Sequence, residues 1–96
     1  MSLHITPMAT HLLKEKCVDS EAETLVDYLI FLAQDHNYEW HISAQVFIGG
    51  LSIECCKNGV SCSKLYVNDF LLGHGKTVNV VREAVHKILD TVRSSD

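Results

Sequence analysis

Four cysteines, six histidines and one glycine-rich Lys-Thr loop are the residues here whose types could carry chemistry. The loop is "GHGKT", residues 73–77, set between "LYVNDFLL" and "VNVVREAVHKILDTV". Strand, glycine loop, Lys-Thr, helix is the order in which backbone N–H groups cradle a nucleotide's phosphates. The spacing excludes that chemistry. A phosphate loop needs glycine five residues before its Gly-Lys-Thr, and that position is Phe70. The expected role is therefore conformational: Gly73 and Gly75 set a turn, Thr77 caps the last helix, and Lys76 is left to meet a phosphate or nothing.

Cys55, Cys56 and Cys62 with His41 are the nearest approach to a metal-ligand set. Adjacent residues on a strand point to opposite faces, so Cys55 and Cys56 do not converge, and no C-x-x-C pair is present. No metal and no cofactor are expected. The cysteines read as buried thiols, with Cys56 on the outer sheet face and open to modification. Under oxidation the facing pair would be Cys55 and Cys62. Catalysis finds no nucleophile elbow, no HExxH and no ordered Ser-His-Asp set. His86 and Asp90, one turn apart, read as a surface pair. The chain is not expected to be an enzyme.

The elements that would position any site follow from periodicity. Thr6 is a candidate N-cap with Pro7 in the first helical position of a short helix. A second helix starts at Asp19 or Ser20, with Glu23 completing a capping box, and stops at Asn37. Leu25, Val26, Leu29, Leu32 and Ala33 form its core face. "YEWHISAQVFI" changes to period two, a half-buried strand over residues 38–48. Gly49-Gly50 and Asn58-Gly59 then predict two tight hairpins. Two-residue turns there pair Ala44 with Cys55, Val46 with Ile53, Ile48 with Leu51, Cys55 with Cys62, and Leu51 with Tyr66. That register points Lys64 inward beside Ile53. A bulge near Ser61–Ser63 would repair it by moving Leu65 and Val67 to the core. From about Thr77 to Arg93 a helix carries the stripe Val78, Val81, Ala84, Val85, Ile88, Leu89, Val92, flanked on one side by Arg82, His86 and Arg93. The expected fold is one α+β domain spanning 1–96. Its order is α-α-β-β-β-α, a three-stranded antiparallel meander with helices on one face.

Composition bounds the class. Of 96 residues, 47% are hydrophobic and 21% charged, which suits a folded globule. The longest strongly apolar run, "YLIFLA", is too short to span a membrane, and the first residues show no secretory signal. A cytoplasmic location is the expectation. The net charge of −4 is uneven. Residues 18–56 hold seven acids and no Lys or Arg, whereas residues 57–96 hold six bases against four acids. An acidic first half argues against nucleic acid as a ligand for the whole surface.

A helix, three antiparallel strands and "GHGKTVNVVREAV" resemble, in order of elements from Ala22 to Val92, the double-stranded RNA-binding domain. In that family lysines at the start of the last helix grip phosphates across a groove. Here Lys76 alone stands near that place, followed by Thr77, Val78, Asn79 and Val80. The resemblance implies an alternative function, nucleic-acid binding through the basic C-terminal part: Lys64, Lys76, Arg82, His86 and Arg93.

The most informative oddity is Phe31. On a helical wheel it lies away from the Leu25–Leu29 face, one turn from Asp27 and Asp35, with Thr24 and Tyr28 alongside. Either the first helix covers it, or it anchors an acidic surface made by Glu21, Glu23, Asp27, Tyr28, Phe31 and Asp35. The second reading makes the chain a protein-binding inhibitor or regulator facing a basic partner protein, one that could itself handle nucleic acid. Small phage-encoded inhibitors such as anti-CRISPR proteins are similar in size and charge and work by occupancy. The outer sheet face, with His41, Ser43, Gln45, Phe47 and Cys56, is a second candidate surface. A symmetric homodimer could form through either.

Overall fold

A computed structural model describes residues 3–17, 21–35, 37–45, 49–57, 61–73 and 75–94, with the Ser61 side chain excepted. The elements are β1 (Leu3–Ile5), α1 (Pro7–Lys16), α2 (Glu21–Ala33), β2 (Tyr38–Ala44), β3 (Leu51–Lys57), β4 (Ser61–Val67), a 3-10 turn (Asp69–Leu71) and α3 (Thr77–Ser94). They form an α+β fold around a four-stranded sheet in the order β1-β2-β3-β4. β2, β3 and β4 make the expected antiparallel meander, and β1 adds a parallel strand beside β2. Three residues are too few for alternation to announce a strand. β1 exists because Leu3 and Ile5 join the core beneath it and Thr6 continues the pairing, its N–H donating to the Ile42 carbonyl at 3.0 Å.

Local signals placed the helices well. The Thr6 hydroxyl accepts from the Ala9 N–H at 3.2 Å, and Pro7 opens α1. The expected cap of α2 at Asp19 or Ser20 lies outside the described residues. That helix ends at Ala33, before Asn37; the Asp35 carboxylate accepts the Asn37 N–H at 3.0 Å and turns the chain toward β2. Thr77 is a correction. Its hydroxyl does not cap α3 but donates to the Lys16 carbonyl at 3.0 Å, tying the start of α3 to the end of α1. The residue is fully buried, and the Lys76 carbonyl accepts the first bond of α3.

Both hairpin registers differ from expectation. β2 and β3 pair Ala44 with Leu51, Ile42 with Ile53 and Trp40 with Cys55. The Gly-Gly pair is therefore not a two-residue turn; the connection runs from Gln45 to Gly50, whose carbonyl accepts the Gln45 N–H at 2.9 Å. This slip is even, so every residue keeps its face. The strand expected over 46–48 lies outside the described residues. β3 and β4 pair Leu51 with Val67, Ile53 with Leu65 and Cys56 with Cys62, an odd slip that turns β4 over. Val67 is buried and Leu65 partly so, while Lys64 and Tyr66 face out. No bulge is needed. Residues 58–60 separate the paired Lys57 and Ser61, one more than a two-residue turn supplies, and Asn58-Gly59 lies outside the described residues.

Helices cover one face of the sheet. Trp40, Ile42, Leu51, Ile53, Cys55 and Val67 pack there against Ala9, Leu13, Leu25, Leu29, Ala33 and the stripe of α3 from Val81 to Val92. α1 and α2 lie over the β1–β2 side, and α3 over β3 and β4. No helix is long and apolar enough to cross a membrane among the described residues.

The turned-over β4 also changes the cysteine pairing. Cys55 stays buried on the inner face, and Cys56 forms a disulfide with Cys62 on the outer one. Burial pushes the Cys55 thiol up to about 11. The Cys17 thiol is also raised, by desolvation first and the Glu21 carboxylate second, against a hydrogen bond with Thr77. A thiol assay at pH 8 is therefore expected to find slow reaction at Cys17 and none at Cys55 in the native protein. Unfolding without reductant should expose two thiols, and unfolding with prior reduction four. Reduction should cost about 2 kcal/mol, since so short a loop restrains the unfolded chain only modestly. Four thiols without reductant would rule out the pairing.

Candidate interaction surface

α2 presents Phe31 on the same outer stripe as Glu23 and Asp27, each one turn from the next. Leu25, Leu29 and Ala33 bury the inner side, as the spacing required. Glu23, Thr24, Asp27 and Phe31 are exposed on the helix, and Asp35 follows its end. Phe31 is 69% exposed, so α1 does not cover it. Glu21 departs from the expected set: it is half-buried, turned toward Cys17, with Oε2 shielded and without a hydrogen-bond partner among the described residues.

Two open clefts border this ridge, each of about 400 Å³. One separates α1 from α2, where Glu23 and Asp27 stand across from Lys14. The other runs between the ends of α2 and α3, where Phe31, Leu32 and Asp35 meet Tyr38, Leu89 and Arg93. Trp40 lines this second cleft as well. Its side chain is buried, and its Nε1–H finds no acceptor among the described residues. An unpaired buried donor is uncommon, because it loses water without gaining a partner.

The two sets of residues singled out as rival surfaces partly merge. Arg82 and Arg93 lie on the side of α3 next to α2, and His86 is exposed on the same helix. The Arg82 guanidinium sits 5.0 Å from the centre of the Tyr28 ring, a contact worth about 0.5–1 kcal/mol in the open. Arg93 shares the cleft with Asp35. The remaining cations are elsewhere. Lys76 is exposed just before α3, and Lys64 stands on the outer sheet face, 5.5 Å from the Tyr66 ring. The residues of the nucleic-acid alternative thus occupy three separate places, and Arg93 shares its cleft with an acid, Asp35.

The outer sheet face carries a row the sequence could not assemble: His4, His41, Glu54 and Lys64, one from each strand in register. The His4 and His41 rings stack with centroids 4.9 Å apart, and Glu39 Oε1 lies 2.9 Å from His41 Nε2. His41, Ser43 and Cys56 were expected on this face; Phe47 lies outside the described residues. His4 was missed because β1 was. Among the described residues no group of three or more His, Cys, Asp or Glu side chains is arranged to hold a metal ion.

No protein family, curated protein or solved structure matches the chain.

Proposed function

We propose that the chain is a non-enzymatic protein-binding module, an inhibitor or regulator that docks α2 on a basic partner protein. One observation carries the reading: Phe31, 69% exposed, stands between Asp27 and Asp35 on a helix with no basic residue. An aromatic anchor among charges that the partner can neutralise is the usual composition of an interface hot spot. The cleft beside Phe31 offers the partner a partly apolar wall. If the partner handles nucleic acid, Asp27 and Asp35 stand where phosphates would, and the module competes by occupancy. A cytoplasmic setting belongs to the same proposal; there Cys56 and Cys62 would stand as facing thiols.

The test compares capture of basic, nucleic-acid-handling proteins by the wild type and by two variants. Phe31→Ala should weaken binding about 30-fold or more, while its exposure keeps the stability change within about 0.5 kcal/mol. Asp27→Lys with Asp35→Lys should abolish capture. Charge reversal that leaves capture unchanged would sink the proposal. So would a gel shift in which wild-type protein binds duplex RNA with steep salt dependence, since that is the behaviour of the cationic alternative.

A further inference from the structure

β4 is the last strand of the sheet, and among the described residues no strand lies along its outer side. The Cα atoms of Cys56 and Cys62 are 4.1 Å apart, the short spacing of an antiparallel pair that exchanges no backbone hydrogen bonds. Alternation along the strand then decides the rest. Cys62, Lys64 and Tyr66 turn their backbone N–H and C=O groups away from β3, whereas Ser63 and Leu65 turn theirs toward it. Such a row of open donors and acceptors is a template for another strand. An open groove of about 240 Å³ runs between this edge and α3, where Leu65, Leu71, Val80 and Ala84 meet Glu83 and Lys87. Leu71 is half exposed, and Phe70 before it is 92% exposed.

We propose that this edge is a dimerisation surface and that its occupant is β4 of a second copy, antiparallel about a two-fold axis at Leu65. The pattern of the strand is self-complementary in that register. Leu65 meets Leu65 of the second copy on the helix side. On the outer face Lys64 lies opposite Tyr66 of the second copy, and each such pair exchanges both backbone hydrogen bonds. Lys64 already rests against a tyrosine ring within its own chain, so the contact across the axis is of the same kind. Centring the axis on Lys64 would instead set two lysines face to face, which strands avoid. The helices agree. The same axis runs the two copies of α3 antiparallel above the new strand pair, and Glu83 then faces Lys87 of the second copy. Among the described residues neither side chain has an ion-pair partner within its own chain. Pairing joins two four-stranded sheets into one and leaves α2, over the β1–β2 side, free at each end. The dimer is thus a bivalent presentation of the acidic helices and does not depend on what those helices bind.

Sedimentation equilibrium of the full chain over a concentration series tests this, and a reversible monomer–dimer equilibrium is expected. Lys64→Pro removes a donor that points away from β3, so the native sheet keeps its bonds. It should weaken the dimer about tenfold. Glu83→Lys should weaken it about threefold, and adding Lys87→Glu should restore wild-type affinity, which a loss of helix stability would not do. Hydrogen exchange on the wild type gives an independent reading should the proline variant not fold. Protection of the Lys64 and Tyr66 amides should rise with protein concentration, and that of Ser63 and Leu65 should not. A chain that stays monomeric at every concentration overturns the proposal. So does a dimer in which those four amides respond alike, or one that Glu83→Lys weakens without rescue by Lys87→Glu. Phe31→Ala should leave the equilibrium untouched.

Discussion

Gly50→Ala is expected to cost at least about 3 kcal/mol of folding stability. Gly50 has φ +99°, a conformation that residues with a side chain adopt only under strain. The space is closed as well. A Cβ there would fall 2.0 Å from the Val67 carbonyl oxygen, 2.7 Å from the Asp69 nitrogen and 3.0 Å from the Asn68 carbonyl carbon. All three are backbone atoms at the end of β4 and the start of the 3-10 turn, so no rotamer change relieves the clash. Either the Gln45–Gly50 connection lifts away or β4 parts from β3. Gly75→Ala separates strain from sterics: φ is +77°, but nothing lies within 4 Å of the added carbon. That change should cost about 1 kcal/mol. Urea unfolding of both variants measures the difference. If Gly50→Ala proves no worse than Gly75→Ala, the close approach of this connection to β4 is not real.

Trp40→Ala should cost about 3–5 kcal/mol. Trp40 is 1% exposed and among the largest buried side chains. It sits in β2 between Leu3 of β1 and Cys55 of β3, so its removal opens a void under the three strands at once. Trp40→Phe should cost well under half as much. The smaller ring fills most of the space and removes an N–H that has no acceptor among the described residues. Equal penalties for the two variants would show that the indole nitrogen has a partner. As the chain's only tryptophan, Trp40 also reports on the α2–α3 cleft it lines. Docking of a partner against Phe31 should shift its emission, and docking elsewhere should not.

Phe31 and Lys64 mark the two kinds of legibility. Helical spacing alone put Phe31 off the core face of α2, and it is exposed. Spacing could not decide whether α1 would cover it, because that depends on where a separate helix packs. Lys64 announced the opposite problem. An inward lysine beside Ile53 signalled that the assumed turn was wrong, and the correct repair was a longer connection, not a bulge. The interleaving of Tyr28 with Arg82, and of Asp35 with Arg93, had no local signal at all. These residues lie more than fifty positions apart, and only the packing of α2 beside α3 makes them neighbours.

By itself the sequence determined the α+β class, the three helices and the inner face of β2 and β3. Each of these rests on periods and caps that act within a few residues, where backbone hydrogen bonding and apolar spacing leave few alternatives. The tertiary structure alone decided strand register, the β1 addition, the Cys56–Cys62 pairing and the bond from Thr77 to Lys16. Those depend on long-range contacts and on exact connection lengths. One residue more between β3 and β4 turns a whole strand over, moving Cys62 and Tyr66 outward and Leu65 and Val67 inward. The clefts and neighbours around the exposed stripe of α2 belong to that second list, because they are made by elements that the chain brings together from a distance.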